Sequence, residues 1–366
     1  MRHLMISILT VLICQSSFAA QPIRAEYLEE TELVGVVSHL AGIPGYDWDE
    51  DEALSDYLAE VDSFFAPYKN HKVVKFAARR LLNKGFNWHF PMHVALAFKI
   101  EEGRIKARKD LVRDFDGYYE RISRGKEKRL LRLLGDFYRK SDFHGFYESH
   151  RPLYEECERA MQDVLDKIDF DWYDSFFGPR ENNSFKIHLS IITGPANYAA
   201  RQRCKDGSEK VCAVMGCCAR NEEGRIFYGI HYTLPTIIHE CNHSYCNPLN
   251  DEVWDQIKDK ATEMFSPNAE FYRSIAYGNP HFVMNETFVE ACVIRYLMSH
   301  DVDLKGYTIE DWIQMDEVDK KFVMIRDIIN VLDEREADYD KYPTMSDFMP
   351  RYVEAINDFQ LKREEN

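Results

Sequence analysis

The strongest constraint in this chain is the spacing His239-Glu240-Cys241-Asn242-His243. Two histidines four residues apart lie about 40° apart around an α-helix, one turn above the other, so both rings can face one ion. In any other backbone the pair would diverge. Leu234, Ile237 and Ile238 open the same stretch with apolar residues, as a buried helix requires. Thr233 or Leu234 is expected at its cap, Pro235 is tolerated in its first turn, and Asn247-Pro248 should end it.

Around this helix the texture of the chain changes twice. From about residue 21 to 178 apolar residues recur at helical spacing, as in Leu54, Tyr57, Leu58, Val61, Phe64 and Phe65, with charged residues on the opposite faces. No chemical site is read in this half, where His144 and His150 are unremarkable. After Gly178-Pro179, Phe185, Ile187, Leu189 and Ile191 alternate with polar residues, the period of a half-buried strand. Val211 to Cys218 and Ile226 to Tyr232 read as further strands, separated by the turn-like Asn221 to Gly224. Beyond the motif, two or three helices are expected from Asp251 to Tyr277, another from Phe282 to Met298, and a mostly helical remainder. The expected class is α+β: a small sheet beside the motif helix, packed between helical regions, with residues 179–366 forming the site-bearing part.

Composition narrows the function. The net charge of −16 argues against nucleic-acid backbones and anionic membranes as partners. Residues 1–20 read as a signal peptide, with basic Arg2, an apolar run from Leu4 to Cys14 and small residues near Ala19-Ala20. Cys14 follows Ile13, so lipid anchoring is disfavoured, and no later stretch reads as transmembrane. The mature protein is expected outside the cytoplasm. Without Cys14, eight cysteines remain; an oxidising compartment permits disulfides, any of which is expected to involve the cluster Cys204, Cys212, Cys217 and Cys218, while free cysteines packed as small buried hydrophobes are the alternative.

A catalytic zinc site takes three protein ligands and leaves one position open. His239 and His243 supply two, and Glu240 sits where a general base would. The extended pattern with a third histidine six residues beyond His243 is excluded, because Cys246 and Leu249 occupy its later positions. Asn285-Glu286-Thr287-Phe288-Val289-Glu290 opens a second apolar helix. Glu286 is read as the third ligand. Glu290, one turn on, is placed to accept a hydrogen bond from the outward nitrogen of a ligand histidine. The same two residues also fit an exposed acidic pair. Cys241 and Cys292 point away from the ligand faces. Tyr232, Tyr245, Tyr277, His281, Tyr339 and Tyr342 all remain open as partners for a developing oxyanion.

His-Glu-x-x-His followed by a distant Asn-Glu resembles the gluzincin metallopeptidases. With Gly194-Pro195-Ala196-Asn197-Tyr198 and Asn247-Pro248, the stretch from Ser184 to Leu297 is similar to an exported bacterial family catalogued as a domain of unknown function. The resemblance implies a zincin-like fold and a peptidase-like Zn2+ site, with His239, His243 and Glu286 as ligands and Glu240 as base. It names no substrate. A peptide or protein substrate is expected, paired with a sheet edge for which Ile226 to Tyr232 is the nearest strand in sequence. A non-peptide zinc amidohydrolase and a non-enzymatic binding protein with a retained zinc site are the alternatives.

Overall fold

The computed structural model describes residues 23–46, 48, 54–113, 118–180, 183–216, 218–275 and 277–360. The expected signal peptide, Cys14 and Cys217 lie outside them. The architecture is α+β and mainly helical, with three small sheets among the described residues. Strand β1 (Ala25–Tyr27) precedes a helical stretch interrupted by a hairpin, β2 (Phe98–Glu101) and β3 (Arg104–Ala107). Then come β4 (Asn183–Leu189), β5 (Tyr198–Arg203) and β6 (Glu209–Met215), followed by a short ribbon of β7 (Ala219–Arg220) and β8 (Ile226–Phe227). No helix among the described residues is long and apolar enough to cross a membrane.

The main sheet has the order β1-β4-β6-β5. β1 and β6 run parallel to β4, whereas β5 lies antiparallel to β6 at the edge, with Tyr198 opposite Val214 and Arg203 opposite Glu209. β4 is the strand expected from the alternation around Phe185 to Leu189. β5 was not expected, because Tyr-Ala-Ala-Arg-Gln-Arg carries no alternating apolar pattern. β1 is three residues long, too short to reveal a period, yet it brings the start of the described chain into the sheet. Glu32, on the following helix, is buried there and accepts hydrogen bonds from Tyr57 (2.6 Å), Ser190 (2.9 Å) and Tyr27 (3.1 Å).

Two expectations need correction. Ile226 to Tyr232 is not one strand: β8 ends at Phe227, and Tyr232 already belongs to the motif helix. That helix starts at Ile230 with Gly229 at its cap, ahead of the expected Thr233 or Leu234, and runs to Phe265, straight through Asn247-Pro248. A proline inside a helix leaves the carbonyl four residues back without its donor. Here that carbonyl is Ser244, and Arg180 Nη1 donates to it at 3.1 Å while its guanidinium lies 3.9 Å above the Tyr245 ring. A side chain from 68 positions earlier in the chain therefore replaces the lost backbone donor.

Of the two readings of the cysteines, the free-thiol one matches the described residues. The described cysteines are free. Cys204 follows the last residue of β5, while Cys212 lies inside β6 opposite Ala200. At about 3.3 Å per residue, that register separates them by roughly 13 Å, beyond disulfide reach. Cys218 instead neighbours Cys157. Cys241, Cys246 and Cys292 are buried behind the motif, with Cys246 and Cys292 Sγ 3.7 Å apart.

Candidate metal centre

Two helices make the site: the motif helix and the carboxylate helix, Pro280–Ser299. The carboxylate helix starts at Pro280, two residues before the expected Phe282, because the Asn279 side chain accepts from Phe282 N at 3.1 Å and Pro280 occupies its first turn. Apolar faces bury Ile237, Ile238, Phe288, Val289 and Val293. Amides fix the register between the helices. Asn250 Nδ2 donates to Asn285 Oδ1 (3.0 Å) and Met284 O (3.2 Å), and Asn242 Nδ2 donates to Val289 O (3.3 Å).

This register brings Glu286 to the histidines. His239 Nε2 and His243 Nε2 are 3.1 Å apart. Glu286 Oε2 is 3.6 Å from the first and Oε1 is 3.7 Å from the second. Two ligands of one tetrahedral zinc at 2.0–2.1 Å would stand roughly 3.3 Å apart, so the three side chains converge at ligand spacing. Ligand atoms of His239, Glu240 and His243 also lie within 4.8 Å of one another. The outward nitrogens are both occupied: His239 Nδ1 faces Glu290 Oε1 at 3.2 Å, and His243 Nδ1 faces Asn247 Oδ1 at 3.3 Å. A carboxylate accepts only, so His239 donates through Nδ1–H, and in the neutral ring the Nε2 lone pair points inward. Glu290 thus stands where the sequence places it, and Asn247 provides the matching contact.

The electrostatics suit a cation. Burial would depress His239, but Glu290, with Glu240 and Glu286 behind it, pushes its pKa up to about 10. Burial raises the Glu240 carboxyl above the usual range, and His239, His243 and the Ala199 backbone N–H partly offset this. Glu290 is buried yet held below the usual carboxylate range by Lys320 and His239. Burial and the nearby Glu286 raise the Tyr277 hydroxyl. Of the six open oxyanion candidates, Tyr277 reaches the cluster, donating to Glu286 Oε2 at 3.3 Å. Tyr245 is buried against Asn183 and Arg180, and His281 pairs with Asp251.

Two groups near the site were not anticipated. Lys320 and Asp316 stand behind Glu290. His93 Nε2 donates to the Ala199 carbonyl at 3.1 Å, so the β5 residue facing Glu240 is bound on both backbone groups. His89 stacks edge-on to His93 and accepts from Arg121 Nη1 at 2.8 Å, within the field of His243. His89 and His93 repeat the four-residue spacing of the motif, the one signal that marked them. Gly194-Pro195-Ala196-Asn197-Tyr198 forms the bend into β5: Gly194 has φ 59° under the Trp48 ring, and Asn197 Oδ1 accepts from Gly216 N at 3.0 Å.

The fold and site define an α+β protein carrying a helix-borne candidate metal-binding group of two histidines and a carboxylate. Residues 47–355 match the family described as "Domain of unknown function (DUF4932)", and the chain belongs to that family. No curated protein and no solved structure matches the chain.

Proposed function

We propose that the protein is an exported zinc-dependent hydrolase of gluzincin type, built on a zincin-like fold and acting on peptides. The observation that carries the reading is the convergence of His239 Nε2, His243 Nε2 and the Glu286 carboxylate, with both outward histidine nitrogens already bound. Imidazole and carboxylate donors in a three-residue set leaving room for water are those of catalytic zinc sites. His239, His243 and Glu286 would hold the ion. Zinc, when bound, lowers the pKa of a coordinated water to about 7 and polarises a carbonyl.

The remaining chemistry belongs to the chain. Glu240 is buried and its proton affinity is raised, so its carboxylate is poised to take a proton from the attacking water and return it to the leaving amine. The Ala199 N–H orients that carboxylate. Tyr277, with its raised hydroxyl pKa, keeps a proton to donate to charge developing on the substrate oxygen. The substrate-facing edge in this reading is β5, not Ile226 to Tyr232.

One observation favours a second reading. The β5 edge is partly capped, at Ala199 by His93 and at Arg203, whose carbonyl accepts from Val112 N at 2.8 Å. An extended peptide pairs through those backbone groups. A compact, non-peptide amide needs none of them.

Cleavage of a peptide library by protein of measured zinc content, with and without chelator, tests the proposal. Chelator-sensitive cleavage that Glu240→Gln abolishes supports it. Full zinc occupancy with no peptide turnover shifts the reading to the amidohydrolase or to a binding protein. Absence of zinc binding ends it.

A further inference from the structure

We propose that Lys320 is a positioning residue for the metal site, holding Glu290 so that Glu290 can orient His239. The proposal rests on the metal reading given above. Lys320 Nζ lies 2.5 Å from Glu290 Oε1 and 2.8 Å from Asp316 Oδ1, and the same Glu290 Oε1 is 3.2 Å from His239 Nδ1. The row Asp316, Lys320, Glu290, His239 thus crosses three separate stretches of chain to reach one ring.

An aspartate and a lysine four residues apart usually make a solvated surface pair of little consequence. Burial changes that here. Asp316 is 2% exposed and Glu290 7% exposed, so the ammonium of the partly exposed Lys320 stands between two buried carboxylates. Removing the ammonium would take from Asp316 its ion-pair partner and leave Glu290 paired with His239 alone. A carboxylate accepts through either oxygen and in several directions, so its other partners decide which lone pair faces the histidine. Lys320 contacts the same Oε1 that faces His239, and so fixes that choice. The orientation and donor strength of a ligand histidine depend on this outer contact.

The backbone is shaped for the task. Met315–Asp319 is a single π-helical turn, closed by Lys320 N donating to Met315 O at 3.2 Å. Such turns carry one extra residue, shift the side-chain register, and are frequent at functional sites. Just beyond it, Phe322 stacks with Tyr277, whose hydroxyl reaches Glu286. One segment therefore braces both site carboxylates, Glu290 through Lys320 and Glu286 through Tyr277.

The test is a mutant cycle on full-length protein, reading zinc affinity by chelator competition and the visible spectrum of the cobalt-substituted site. Glu290→Gln should weaken zinc by about 10–100-fold, and Lys320→Met by about 10-fold, with an altered cobalt spectrum. Lys320→Arg should restore most of the affinity. The double variant should be no weaker than Glu290→Gln alone, because Lys320 acts only through Glu290. Should Lys320→Met fail to fold by circular dichroism, Lys320→Gln, which keeps a donor on a shorter stem but loses the charge, is read instead and should fall between Met and wild type. Wild-type affinity and cobalt spectrum in the lysine variants, or losses that multiply in the double variant, would overturn the proposal while leaving the metal site standing. A wild-type protein that binds no zinc would remove the metal reading itself, and this inference with it.

Discussion

The Nδ1 of His239 sits 3.2 Å from Glu290 Oε1, on the side of the ring opposite the Nε2 that converges with His243. One contact therefore links the two faces of the imidazole, and its consequence can be titrated. With no metal bound, Glu290 and its neighbours lift His239 to about 10, above the ~6.5 of a free histidine. The contribution of this charged pair to stability is thus full below about pH 6.5 and lost as pH rises through about 10. Zinc requires the neutral ring and must displace that proton. At pH 8, zinc binding should release about one proton from His239, and apparent affinity should rise about tenfold per pH unit from about 7 to 9. Calorimetry in two buffers of different ionisation enthalpy reads the release. Glu290→Gln should largely abolish it, whereas binding at pH 8 without proton release in the wild type would contradict the assigned charge state.

The three carboxylates should separate by role. Glu240→Gln is expected to keep zinc near wild-type stoichiometry while losing nearly all hydrolysis, since a base is not a ligand. Glu286→Ala should lose metal severely, and Glu290→Ala should weaken it by about 10–100-fold. Metal content by mass spectrometry, alongside turnover, ranks them. If Glu290→Ala proves the worse of the two for zinc, the ligand and its neighbour have been exchanged.

Arg180 should be worth more than a surface arginine. Its hydrogen bond to Ser244 O replaces the donor that Pro248 lacks, and Ser244 is buried. Arg180→Met leaves that carbonyl unsatisfied, which costs about 1–3 kcal/mol. Urea unfolding of the metal-free protein checks this, and an unchanged midpoint would mean that the helix crosses Pro248 without help.

The motif and its partner were legible because each helix carries its own signal. The four-residue histidine spacing, the apolar face of Leu234 to Ile238 and the Asn279-Pro280 start are all local. What was missed depends on distant residues. Pro248 reads as a stop until Arg180 is seen beside Ser244. β5 reads as polar loop because its pairing with β6, not its pattern, makes it a strand. Asp316 and Lys320 look like any solvated acid–base pair until the fold sets them against Glu290.

Cys204 and Cys212 should carry free thiols, since the β5–β6 register holds them apart. In denaturant without reductant, both should alkylate completely. A tryptic fragment bridged between the two would mean that the register of this hairpin is wrong.

His239, His243 and Glu286 together are proposed to hold one zinc ion. Crystals grown with zinc and measured on both sides of its absorption edge address it directly. A single strong anomalous peak is expected about 2.0–2.1 Å from His239 Nε2, His243 Nε2 and a Glu286 oxygen, with Glu240 outside bonding distance. A peak elsewhere, a peak bonded to Glu240 in place of Glu286, or no peak at saturating zinc would contradict it.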